Sequence, residues 1–277
     1  MNPVLVPLLL VPLAGPERAR DGGLWLEGRR ASFSKLPADL PAPLRALLEK
    51  ERPFAEKHGL RVFAKAKAPV VVISEWGDSQ TVRLLEDAEL LATEFTRFFP
   101  EAKEPPPLAD EEIDGADPST PFPLFLIQTM PVYTALAERM EAEHEYLKGW
   151  AARAANLQGF HLYRPRIAVC LAGTYGDPRH WVLHALVHVM AYPRYGRQPF
   201  WVEEGMAWYV EDALLKGVFA FCYRDNFLWD AEKSGWSNDF AGLLKKDKAP
   251  SVLQLASMRP GTYSAGDLGV KDPRALL

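Results

Sequence analysis

The stretch from Asp177 to Asp212, DPRHWVLHALVHVMAYPRYGRQPFWVEEGMAWYVED, restricts the fold more than any other part of this 277-residue chain. Asp177 and Pro178 are suited to a helix N-cap and first turn, and an apolar pattern runs from there through Met190 until Pro193 ends it. Pro199 then opens a second helix, whose Trp201, Met206, Tyr209 and Val210 are expected to pack on the first. The short link between the two favours an antiparallel return. Two mostly apolar helices that must bury against each other, yet carry histidines and carboxylates, leave few ways to satisfy those polar groups.

His184 and His188 are one turn apart on the first helix. At that spacing two imidazoles are offset by about 40° around the axis and about 6 Å along it, so both can face one ion. Zinc accepts such nitrogens at about 2.0 to 2.1 Å. One helix face cannot complete a tetrahedron, so a third ligand has to come from another element, and Glu204 in the first turns of the second helix is placed to supply it. A four-residue histidine pair taken alone is compatible with simple packing of an amphipathic helix. The returning glutamate is what turns the pair into a candidate zinc site.

The second half of this stretch, Pro199, Trp201, Glu204, Gly205, Ala207 and Tyr209, resembles the P-x-W-x-x-E-G-x-A-x-Y pattern of the gluzincin, or peptidase MA-like, metallopeptidases, in particular their uncharacterised bacterial branch. The likeness extends upstream to about residue 60 as a succession of strands and helices. It implies an α+β zincin-like domain with a small mixed sheet packed on an active-site helix pair and a mostly helical C-terminal part. It also implies His184, His188 and Glu204 as metal ligands. The family's first motif is H-E-x-x-H, whereas this chain reads His184-Ala185-Leu186-Val187-His188. Ala185 thus occupies the position of the glutamate that acts as general base, a role worth about 10² to 10⁴-fold in rate. Glu203, adjacent to a ligand, is about 100° away around the helix and should point elsewhere. His180, Glu203 and Tyr209 complete the candidates, as residues behind the ligands or beside a substrate.

The resemblance implies a zinc-binding relative of these peptidases that is catalytically impaired or non-catalytic, with a peptide or protein as its ligand. Two other readings stay open. One is an active zinc endopeptidase, seen here as an inactivated variant or using another base. The other is a metal-free peptide-binding or structural module.

The rest of the chain sets the frame. With 48% hydrophobic and 25% charged residues it is an ordinary globular composition, and a net charge of -4 offers no basic face for nucleic acid. The apolar run at residues 1–20, broken by Pro3, Pro7 and Pro12, is too short and proline-rich to span a bilayer. It is either a secretory signal, which would place the protein outside the cytoplasm, or an extended segment on the core of a cytoplasmic protein.

Residues 21–100 form an N-terminal α/β part. It includes a helix with Leu44, Leu47 and Leu48 that ends at Gly59, two β-rich runs up to Ile73, and a long helix marked by Val82, Leu85, Ala88, Leu91, Phe95 and Phe98. Residues 101–121 are acidic and proline-rich and read as a surface loop. The metal-binding part follows from 122 to 277, or is continuous with everything from about residue 60. It opens with a strand in PFPLFLIQ, a helix from Pro131 with Val132, Leu136, Met140 and Leu147 on one face, and a strand in RPRIAVCLAG. Cys170 and Cys222 read as small buried residues that could also pair.

Overall fold

The computed structural model describes residues 23–65, 68–100, 120–157, 159–172, 177–196 and 198–217, together with 242, 245 and 246. The N-terminal apolar run, most of the acidic loop, Cys222, the side chain of Trp201 and the C-terminal end lie outside that set.

Strands β1 (Gly23–Leu26), β2 (Arg29–Ala31), β3 (Arg61–Ala64), β4 (Val70–Ser74), β5 (Phe122–Ile127), β6 (Gly159–Tyr163) and β7 (Arg166–Leu171) form one sheet, accompanied by helices α1 (Ala42–His58), α2 (Asp78–Phe98), α3 (Met130–Glu143), α4 (Trp150–Ala154), α5 (Pro178–Tyr195) and α6 (Phe200–Leu215). The architecture is mixed α/β. The seven strands lie in the order β2-β1-β3-β4-β5-β7-β6. β4, β5 and β7 are parallel, while β3 and β6 run antiparallel to β4 and β7. Strands before and after the acidic segment therefore share one sheet, with Val70 opposite Phe122.

The apolar runs of β4 and β5 are buried along their whole length because both faces of the sheet are covered. Alternate residues divide between two cores. Val71, Ile73, Phe125, Ile127, Val169 and Leu171 join α1, α3 and α4 on one side. Val70, Val72, Leu124, Leu126, Ala168 and Cys170 join α2, α5 and α6 on the other. Burying one such Val, Leu or Ile side chain contributes about 1.5 to 3 kcal/mol, so the central strands anchor both layers.

The second layer holds α5 in place at both ends. Near its start, the Arg179 guanidinium donates to both Asp87 oxygens on α2 at 2.6 and 2.7 Å. Near its end, Arg194 donates to the Phe99 carbonyl and Thr96 hydroxyl, and the Tyr195 hydroxyl donates to the Pro100 carbonyl at 2.6 Å. Two ring stacks tie α5 to β6: His161 on His188, with centroids 4.5 Å apart, and Tyr163 on Tyr192, at 4.3 Å. Two residues along a strand cover about 6.6 Å and four along a helix about 6 Å, so the two stacks share one register.

Several local expectations are corrected. α5 continues past Pro193 to Tyr195, since a proline in the last turn removes only one N–H bond, and Gly196 N–H still reaches the Tyr192 carbonyl. α3 stops at Glu143, which leaves Leu147 in a separate 3-10 turn, packed on the core from outside the helix. Val82 is 42% exposed, and Leu84 takes its place on the buried face of α2. The Glu27-Gly28 turn, with positive φ at both residues, closes a β1–β2 hairpin that the sequence reading had passed over.

Candidate metal centre

α5 and α6 are antiparallel, since the partners of His180, His184 and His188 descend from Glu211 to Glu204. His184, His188, Glu204 and Glu211 are all buried, at 1%, 3%, 1% and 0% exposure. Four ionisable groups in an apolar helix interface are costly unless each satisfies another.

Their arrangement is ordered in two tiers. The Glu204 carboxylate receives both imidazoles by their outer nitrogens, with His184 Nε2 3.2 Å from Oε2 and His188 Nε2 3.4 Å from Oε1. One ligand atom from each of the three residues lies within 4.8 Å of the others, so the group can hold a metal ion. Around a tetrahedral ion with ligands at about 2.05 Å, neighbouring ligand atoms are about 3.3 Å apart, which the two nitrogen–oxygen separations match. Behind this tier, Glu211 accepts from His184 Nδ1 at 2.6 Å and from His180 Nδ1 at 2.8 Å.

The outer pair decides what the inner pair can do. With its Nδ1–H donated to Glu211, a neutral His184 presents a bare lone pair at Nε2. That lone pair faces Glu204 Oε2, which is buried and makes no hydrogen bond. Two lone pairs 3.2 Å apart in an apolar interior repel unless positive charge lies between them, either a proton that makes His184 an imidazolium or a cation. The metal-free groups respond accordingly. Burial pushes the Glu204 carboxyl up, but the positive charge that His184 and then His188 carry when protonated outweighs it and holds the carboxyl well below the usual carboxylate range.

The other candidates have defined places. Glu203 accepts from the Gln198 backbone N–H at 3.1 Å and so caps the α5–α6 link, away from the ligand group. Tyr209 is 57% exposed and meets the rings of Phe98 and Phe99 edge-on, so it leans on the end of α2, where the sequence reading had placed it against α5. His180 bonds to Glu211, in the tier behind His184. Ala185 sits with His184 and Trp181 in the wall of a cavity of about 410 Å³. The position next to His184 therefore opens into space beside the group that could hold a metal ion.

Two residues of the site escaped the sequence reading. Glu211 had a signal: seven positions after Glu204 it returns to the same helix face after nearly two full turns. His161 had none, because its approach to His188 depends on the pairing of β6 with β7, which turns His161 and its partner Ala168 to the α5 side. No protein-family model, curated protein or solved structure matches the chain.

Proposed function

We propose that the protein is a zinc-binding relative of the gluzincin peptidases that retains the ligands His184, His188 and Glu204 but lacks the general base, and so hydrolyses peptide bonds slowly or not at all. The observation that carries this reading is the buried junction of His184 Nε2 and Glu204 Oε2, 3.2 Å apart with no hydrogen bond to the carboxylate oxygen, beside His188 Nε2 at 3.4 Å. Two imidazoles and one carboxylate are the donor set of a catalytic zinc site, and they leave the ion a further position for substrate. Zinc there would supply Lewis acidity toward a carbonyl oxygen.

The chain's own residues define the remaining roles. Glu211 fixes the tautomer and aim of His184 through the Nδ1 hydrogen bond, while His161 packs flat on His188 and restricts its rotation. Ala185 can neither accept nor deliver a proton, and that loss is the reason to expect impaired hydrolysis. A peptide ligand is supported by β6, which pairs only with β7 in the described sheet and passes the ligand group through His161. An extended chain can add to such an edge.

The test is elemental analysis of protein incubated with zinc at neutral pH and desalted. About one zinc per chain is expected, with loss of binding in His184→Ala and Glu204→Ala. Protein that takes up no zinc, or variants that bind as well as the parent, would overturn the assignment.

A further inference from the structure

The cavity beside Ala185 has a composition of its own. Its walls come from α4, β6, β7 and α5, and Trp150, Leu157, Phe160 and Trp181 make them mostly apolar. A volume of about 410 Å³ is enough for a side chain with its backbone, toward the lower end of the roughly 300 to 1,000 Å³ of small-molecule sites. Phe160 meets Trp150 edge-on at 5.3 Å and 85°, which fixes one wall.

The polar group that α4 brings to these walls is a donor. Arg153 lines the cavity, and no carboxylate pairs with it among the described residues, whereas Arg52, Arg139 and Arg179 are each held by a glutamate or aspartate. No aspartate or glutamate lines the cavity. A guanidinium without a carboxylate partner calls for an anionic acceptor, and an apolar chamber calls for an apolar body attached to it. Ala185 contributes to this chemistry, since a glutamate at that position would put a negative charge in the wall, against an anionic ligand.

We infer that the cavity binds the C-terminal residue of a peptide, with an aromatic or large aliphatic side chain among Trp150, Phe160 and Trp181 and its free α-carboxylate on Arg153. The proposal names the ligand of the site described above and rests on that reading for the ligand being a peptide. Of the group that could hold a metal the cavity shares only His184, so binding there can be measured with and without zinc. With His184 in the same wall, the last peptide bond of such a ligand would lie toward the ligand group.

The experiment is calorimetric titration of the full chain, with and without added zinc, using N-acetyl-Ala-Phe as the free acid and as the amide. The acid should bind a few-fold more tightly than the amide, as expected for one charge-assisted contact at an exposed, solvent-screened arginine. Arg153→Gln should abolish that preference and Arg153→Lys should keep part of it. Ala185→Leu, which fills the chamber without adding charge, should weaken acid and amide alike. Equal affinity for acid and amide in the folded parent protein, or a preference that survives Arg153→Gln, would overturn the proposal. Phenylpropionate binding as tightly as the peptide acid would also overturn it, because the peptide portion would then not be read. Failure of zinc uptake with the acid preference intact would remove the metal reading and leave the carboxylate site standing.

Discussion

Replacing Glu211 tests the two-tier geometry most directly. Its carboxylate is fully buried and accepts from His184 at 2.6 Å and from His180 at 2.8 Å. In Glu211→Gln the shape is preserved, but the two imidazoles bond to different carboxylate oxygens, and once one of these becomes an NH₂ donor one Nδ1–H faces another donor. The His180 side chain is 14% exposed against 1% for His184, so His180 is the one that can turn toward water and change tautomer. The remaining amide oxygen then stays with His184 as a weaker, neutral acceptor. A tenfold loss of zinc affinity, about 1.4 kcal/mol, is the expected outcome, at the low end of the range for partners behind a metal ligand. Glu211→Leu removes both acceptors and frees the His184 ring to take the tautomer that protonates Nε2, so the loss should approach 100-fold. The assay is zinc competition against a chelator of known affinity. Circular dichroism would confirm that each variant is folded, and Glu203→Gln, which alters only the cap on the α5–α6 link, would serve as the control. A folded Glu211→Leu protein that binds zinc within twofold of the parent would refute the idea that Glu211 orients a ligand.

Ala185→Glu should fold, keep zinc and cleave denatured casein at least ~10²-fold faster than the parent, in a chelator-sensitive way; an inert variant that still holds zinc would show that more than the base has been lost. In the metal-free protein the Glu204 carboxyl is held below its ordinary value of 4.5, so its stabilising contribution is present above about pH 4.5 and is lost as pH falls below that. Denaturant melts at stepped pH should show this acid limb in the parent and a flatter one in Glu204→Gln; parallel limbs would contradict it. At Gly159, φ is 154° and an added Cβ would lie 2.5 Å from the Val169 carbonyl oxygen on the paired strand, where backbone cannot move aside cheaply. Gly159→Ala should therefore cost roughly 1 to 3 kcal/mol, read as a lower thermal midpoint, and an unchanged midpoint would refute that close approach.

What the sequence by itself determined was carried by local chemistry. The four-residue spacing of His184 and His188 puts two imidazoles on one helix face, Pro199 starts a new helix, and the unbroken apolar runs at Val70 and Phe122 require a sheet covered on both sides. These follow from helix and strand periodicity, which a sequence displays directly. The proximity of Glu204 to both histidines was an expectation of that kind, made concrete by the antiparallel packing of α5 on α6. Glu211 was also legible, as the same helix face seven residues on, but a carboxylate deep in an apolar helix interface has meaning only once its partners are known. The tertiary structure alone decided the rest. His161 reaches His188 because an edge strand pairs antiparallel with β7 and lies in register along α5. Trp150 and Arg153 line one cavity with Ala185 only because α4 comes to the β6 edge of the sheet near α5. Contacts between elements far apart in the chain depend on strand order and helix placement, which local periodicity does not encode, and the chamber beside the ligand group is formed almost entirely from contacts of that kind.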